Sequence, residues 1–185
     1  QAGAKAQDAF ELSAEDPVFD SEAKFIAWQI KTTDTESRTV KALKLYQDLL
    51  KFHANDEDKS AYIDASLGRL NFGKNKAYGE SKNDRYRTAI KGFINKWADH
   101  RISARARFHL AQSLDQEGDK VQAHKIAKQG NDTYPDSPGG AMCHNLINQI
   151  EAKSSNITVE RVWNNPRPDI TVKYRNVDEI HFRVV

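Results

Sequence analysis

One cysteine and six histidines are the residues of this 185-residue chain whose types most readily do chemistry. Cys143 is followed directly by His144. A thiol beside an imidazole begins a nucleophilic constellation, which needs the base within hydrogen-bond reach and a third group to orient it. Neighbours on a helix point about 100° apart, however, so these two side chains diverge, and Cys143 reads as a small buried hydrophobe. His53, His100, His109, His124, His144 and His181 contain no i, i+4 pair, and no Cys or His pair has zinc-finger spacing. No catalytic residue, metal site or cofactor is expected, and the chain is not read as an enzyme.

Arginine and tryptophan offer binding chemistry instead. Arg101, Arg105 and Arg107, with Arg85 and Arg87 upstream, have the types for a basic patch that takes an acidic peptide or a carboxylate terminus. The plainer reading, a solvated i, i+4 helix face for Arg101 and Arg105, is preferred. Trp28 and Trp97 fall within apolar helix faces and read as core, whereas Trp163, just before Asn164-Asn165-Pro166, falls at a helix-to-sheet junction. The sequons at Asn131 and Asn156 matter only in a glycosylating host. The 28 basic residues nearly balance the 26 acidic ones, a formal net charge of +2, so no global signature for nucleic acid or an anionic membrane is present. Mean hydropathy is -0.77, and no run approaches the roughly 20 apolar residues of a membrane span. One cysteine forbids an internal disulfide and leaves the redox compartment unread. The chain begins at Gln1 rather than Met, which reads as a processed or truncated product.

These side chains must be positioned by helices. From Ala104 to Pro135 a 3.6-residue period through Phe108, Leu110, Ala111 and Leu114 breaks at Gly118-Asp119. A second helix follows, with Ala123, Ala127 and Gly130 on one face, until Tyr134-Pro135 stops it. The unit resembles a tetratricopeptide repeat, with Leu110-Ala111-x2-Leu114, Ala123-x3-Ala127 and Pro135 at the family's anchor positions. A second copy, Ala89-x3-Phe93, lies 34 residues before Ala123, the period of that repeat. A third, Ala42-x3-Tyr46, lies 47 residues before Ala89, and the surplus is assigned to a loop over Asn71 to Asp84. First helices are placed at Ile26-Ala27-x2-Ile30 and Leu67-Gly68-x2-Asn71.

Along the chain, residues 1–20 read as a weakly ordered leader, and Ser21 as the cap of the first helix. Helices follow over 39–53, from Asp58 or Ser60, over 85–99, and after Pro138-Gly139-Gly140, where Met142, Cys143, Leu146, Ile147 and Ile150 make a capping helix. Beyond Ser154 the pattern alternates and turns to Val, Ile and Thr. Three strands are expected: one through Ile157 and Val159, reaching Val162 or stopping short of it, one through Ile170, Val172 and Tyr174, and one through Ile180, Phe182 and Val184. Three strands make an incomplete sheet, which either packs on the last helices or opens a β-sandwich truncated here. The fold class is therefore mainly α, a tetratricopeptide-like stack of helical hairpins over 21–153, with a short C-terminal antiparallel β segment over 154–185. At 21.0 kDa this is one domain, or one and a fragment, able to bury roughly 70% of its unfolded surface.

The junction from Tyr134-Pro135-Asp136-Ser137-Pro138-Gly139-Gly140-Ala141-Met142-Cys143 through Asn148-Gln149-Ile150 to Val172-Lys173-Tyr174-Arg175-Asn176-Val177 and Ile180-His181-Phe182-Arg183-Val184 is similar to the N-terminal part of bacterial, Bacteroidetes-type alpha-2-macroglobulin-like proteins. The resemblance implies a helical region ahead of a first macroglobulin β-sandwich, in a cell-envelope protein, periplasmic or surface and membrane-anchored, that entangles proteases. Cys143 precedes His144-Asn145-Leu146 rather than a Glu-Gln pair, so it is not the thioester cysteine of that family. The expected function is a non-catalytic protein-protein interaction or spacer module within such a protease inhibitor. The alternative is a stand-alone adaptor that binds a partner peptide. Either way the expected partner is a protein or peptide, proteases among them through the full-length parent, with no nucleic acid and no direct membrane insertion. Repeat arrays bind peptides in a groove lined by first helices, which makes Lys24, Trp28, Arg69, Arg107 and Gln112 the candidate groove residues.

Overall fold

A computed structural model describes residues 9–159, 170–181 and 183. Seven α-helices occupy the described residues: α1 (Glu22–Ala27), α2 (Arg38–Phe52), α3 (Ser60–Lys76), α4 (Lys82–Lys96), α5 (Ile102–Gln116), α6 (Lys120–Thr133) and α7 (Pro138–Glu151). Their starts follow local chemistry. Ser21, Ser37, Asp119 and Ser137 each accept a hydrogen bond from a first-turn backbone N–H, and Pro138 opens α7 where its missing N–H costs nothing. Gly118, at a φ of 91°, turns α5 into α6 through a left-handed conformation that a side chain would strain.

Each helix packs against the next, and α5 lies against both α3 and α7. The chain is thus a stack of hairpins in which α3, α5 and α7 are successive first helices, ending in a two-stranded antiparallel ribbon, β1 (Ser154–Val159) and β2 (Ile170–Arg175). This is the mainly helical fold with a short β segment that the periodicity predicts. One apolar core runs through the stack, with Leu43, Leu50, Ile63, Leu67, Ile90 and Leu110 almost wholly buried. The small residues of α6 work as expected, since Ala123, Ala127 and Gly130 are buried. At the last hairpin the approach is closest. A β-carbon on Gly139 would stand 2.3 Å from the backbone N of Arg105, and one on Gly140 would stand 2.0 Å from the Tyr134 carbonyl oxygen.

Four expectations are corrected. Residues 9–20 are not weakly ordered: Leu12, Ala14, Val18 and Phe19 are core residues. The loop assigned to Asn71 to Asp84 shrinks to 77–81, because α3 continues to Lys76. Asn71, Gly73 and Asn75 are poor helix formers, but tertiary contacts overrule them: Asn71 Oδ1 accepts from the Tyr86 hydroxyl at 2.8 Å, and Gly73 leaves room for Val18 and Phe19, which would meet an added β-carbon at 2.9 and 2.8 Å. The first helix stops at Ala27, where the chain extends through Trp28, so Ile30 lies outside it. The third strand is absent at Ile180, His181 and Arg183, while Phe182 and Val184 lie outside the described residues, as do Val162, Trp163 and the first eight residues of the leader.

Candidate functional site

The polar chemistry of the array concentrates where residues 9–30 cross α2, α3 and α4. The chain there is held largely by its backbone. Tyr78 N donates to Leu12 O at 3.0 Å and Ala14 N donates to Tyr78 O at 2.7 Å, a parallel bridge at Ser13. Arg69 Nη1 donates to Asp20 O at 2.9 Å. Gln47, 7% exposed, donates its Nε2 to both Phe25 O and Trp28 O at 2.8 Å, which caps the end of α1. The side chains of Leu12, Val18, Phe19 and Phe25 supply the apolar anchors.

One carboxylate completes the seat. Glu22 accepts from Ser66 Oγ at 2.9 Å and from Lys96 Nζ at 3.0 Å. Burial pushes its carboxyl upward, but a hydrogen bond from its own backbone, those from Lys96 and Ser66, and the Lys96 charge together hold it below the usual range. Arg69 is 2% exposed, with its guanidinium 4.9 Å over the Phe25 ring. Burial pulls it down to about 10, against the opposing pull of Glu22, Tyr62 and Asp20. Its Nε has no acceptor. Beside it lies a cavity of about 210 Å³ lined by Ser21, Glu22, Ser66, Arg69, Phe93 and Lys96, among others.

The five predicted groove residues divide. Trp28 and Arg69 meet around Phe25, with the Trp28 ring 6.3 Å from it, and Lys24 is exposed on the same short helix. Arg69 is a correction: a side chain 2% exposed sits beneath the segment rather than on an open groove. Arg107 and Gln112 lie half-buried on α5, and Arg107 Nη1 donates to Ser103 Oγ within that helix at 2.8 Å. Glu22, Ser66, Lys96 and Gln47 were not singled out from sequence, because their partners lie 19 to 74 residues away. The small-to-polar run Ser21-Glu22 was the one available signal.

Three of the other arginines are engaged in ion pairs. Arg85 pairs with Glu15 and Asp20 at 3.0 and 2.8 Å, Arg87 with Asp84 and Glu117 at 3.2 and 2.9 Å, and Arg105 with Asp64. Arg101 and Arg105 do border a second cavity of about 370 Å³ between the first turns of α3, α5 and α7. Cys143 is wholly buried, with Sγ 3.4 Å from Ala104 O. Its burial pushes the thiol up to about 11 despite Arg107, whereas His144 is exposed. Trp97 packs edge-on against Tyr62 at 6.3 Å. Among the described residues no three His, Cys, Asp or Glu side chains gather as metal ligands, and no helix is long and apolar enough to cross a membrane.

The ribbon is two-faced. The register pairs Ile157 with Val172, Val159 with Ile170 and Ser155 with Tyr174, so these side chains share one face, while Asn156, Thr158, Thr171 and Lys173 share the other. Ile157, Val159, Ile170 and Tyr174 are 49, 46, 43 and 65% exposed. Among the described residues the ribbon is moored to the array where Asn176 Nδ2 donates to Ile150 O at 2.7 Å and Arg175 Nε to Ala152 O at 3.2 Å.

Fold and site together define a helical-hairpin array that carries an amphipathic β-ribbon. Comparison with known protein families, curated proteins and solved structures finds no match.

Proposed function

We propose that this chain is a non-catalytic protein-interaction and spacer module, the N-terminal part of an alpha-2-macroglobulin-like protease inhibitor of the bacterial cell envelope. The observation that carries the reading is the ribbon. A two-stranded ribbon is marginal alone in water, and one that leaves Ile157, Val159, Ile170 and Tyr174 exposed on one face suits the inner layer of a sandwich whose opposite sheet lies elsewhere. A sandwich beginning directly after the capping helix is the order of elements in those inhibitors. In this reading the array positions the trap and recruits an envelope partner, and the proteases are met by the full-length parent.

A stand-alone adaptor is the second reading, favoured by the incompletely filled seat at Arg69. The native mass separates the two. An antibody against this domain, used on fractionated cells, is expected to reveal a band several times 21.0 kDa in the envelope fraction. A soluble band near 21.0 kDa overturns the inhibitor reading and leaves the adaptor.

A further inference from the structure

We propose that residues 9–30 are an intramolecular peptide ligand, and that the α2–α4 face beneath them binds a partner peptide with a carboxylate three residues before an aromatic anchor and a second carboxylate just ahead of the first. The proposal rests on the reading of the array as an interaction module, and its test is independent of the native mass that decides that reading.

Three features carry it. First, the segment is held by its backbone as well as its side chains: array donors take the carbonyls of its non-helical stretches, at Leu12 from Tyr78 N and at Asp20 from Arg69, and those at the end of α1, at Phe25 and Trp28, from Gln47, while side chains fill pockets. Second, the specific contact is one anchor pair. The Glu22 carboxylate is bound by Ser66 and Lys96, and the Phe25 ring lies under Arg69. Third, the fit is incomplete. Arg69, 2% exposed, keeps an Nε without an acceptor, and it borders about 210 Å³ of space that Ser21 lines with its short side chain. Arg69 and Lys96 both line that space, and a cationic lining is complementary to a carboxylate. A peptide with an acidic residue where this chain has Ser21 supplies one.

The tether explains why the internal copy stays in place despite the imperfect fit. Residues 31–36 join the segment to α2 through an exposed turn, and a short linker sets an effective concentration in the millimolar range. Partner binding must therefore displace a neighbour that is favoured by proximity as well as by the buried contacts of Leu12, Val18, Phe19 and Phe25.

The test uses the full chain with a site-specific protease sequence inserted between Thr35 and Glu36, both exposed. After cleavage the two fragments are expected to co-elute with helical circular dichroism retained. Fluorescent peptides of residues 9–35 should then exchange into the complex at one per array. A Ser21→Asp peptide should bind about tenfold more tightly than a Ser21→Asn peptide, which caps α1 equally well but carries no charge. A peptide with Glu22→Gln and Phe25→Ala should not compete. Loss of helicity on cleavage, a cut complex that exchanges no peptide while folded, or equal affinity of the Asp and Asn peptides each overturns the proposal. Segment-exchanged dimers of the uncut chain, seen by sedimentation, overturn the partner peptide in favour of a second copy as the occupant.

Discussion

The sulfur of Cys143 lies 2.6 Å from the point where a β-carbon on Gly130 would stand. A helix of small residues, Ala123, Ala127 and Gly130, thus lets α7 approach α6 until its one thiol fills the space of a missing methyl. This places Cys143 in packing rather than in chemistry: it is wholly buried, and its thiol is pushed up to about 11, where the thiolate that nucleophilic attack needs is scarce at neutral pH.

Gly130→Ala is therefore expected to destabilise the chain by about 1–3 kcal/mol through overpacking. Cys143→Ala removes the obstructing sulfur, so the double variant should be less destabilised than the sum of the singles by about 1 kcal/mol. Urea denaturation of the four proteins measures the coupling. Strict additivity would show that the obstruction comes instead from Arg107, whose Cβ is 3.2 Å from the same point.

Gln47→Leu leaves Phe25 O and Trp28 O without their shared donor. The position is 7% exposed, and water replaces the amide poorly there, so the expected loss is about 2 kcal/mol. Because the lost bonds close α1, opening should be local, read as faster amide exchange over residues 22–30 and a red-shifted Trp28 emission before global unfolding. Uniform destabilisation without that local signature would contradict the role given to Gln47.

Much of the fold is legible in the sequence, and the reason differs by region. Tyr86, Ile90, Phe93 and Ile94 recur at helical spacing and are buried, because a helix that packs on one face writes its period into its own residues. The turn at Gly118-Asp119 is equally local. Residues 9–20 read as a leader because Leu12, Val18 and Phe19 carry no period, and the burial of Val18 and Phe19 depends on Gly73 in α3. The seat of Glu22 was invisible for the same reason: Ser66 and Lys96 reach it from 44 and 74 residues away. Arg69 is expected in a groove because it lies on a first helix, whereas the Phe25 ring and the Asp20 carbonyl take it inside.

His109 makes the array sensitive to mild acid. Burial, then the Arg105 and Lys74 charges, lower its pKa from 6.5 to about 4, so between those values the unfolded chain binds the proton that the folded chain refuses. Stability therefore rises with pH through this window, is fully present above about 6.5, and falls by about 3 kcal/mol at most as the pH drops to 4. Glu22, whose carboxyl lies below its usual range, also loses stability in acid, which makes the comparison with His109→Gln the decisive one. That variant should show a shallower slope between pH 6.5 and 4 in urea titrations. Parallel slopes would mean that His109 titrates in the folded chain near its ordinary value.

The ribbon supplies the last prediction, since four side chains of its apolar face are exposed. Ile157 and Ile170 are diagonal on that face, 49 and 43% exposed, and neither belongs to the helical core. Replacing both with Lys should change the thermal stability of the helices by no more than about 0.5 kcal/mol, as for other surface substitutions. It should also suppress concentration-dependent self-association of the isolated chain, because an open apolar ribbon is the element most prone to pair with another. Sedimentation velocity at rising concentration distinguishes the cases. Association in the parent chain that the double Lys variant abolishes identifies the face as one built to be covered. A parent chain that stays monomeric, with no gain from the substitutions, would mean that the ribbon is stable as it stands and would remove the main support for a missing opposite sheet.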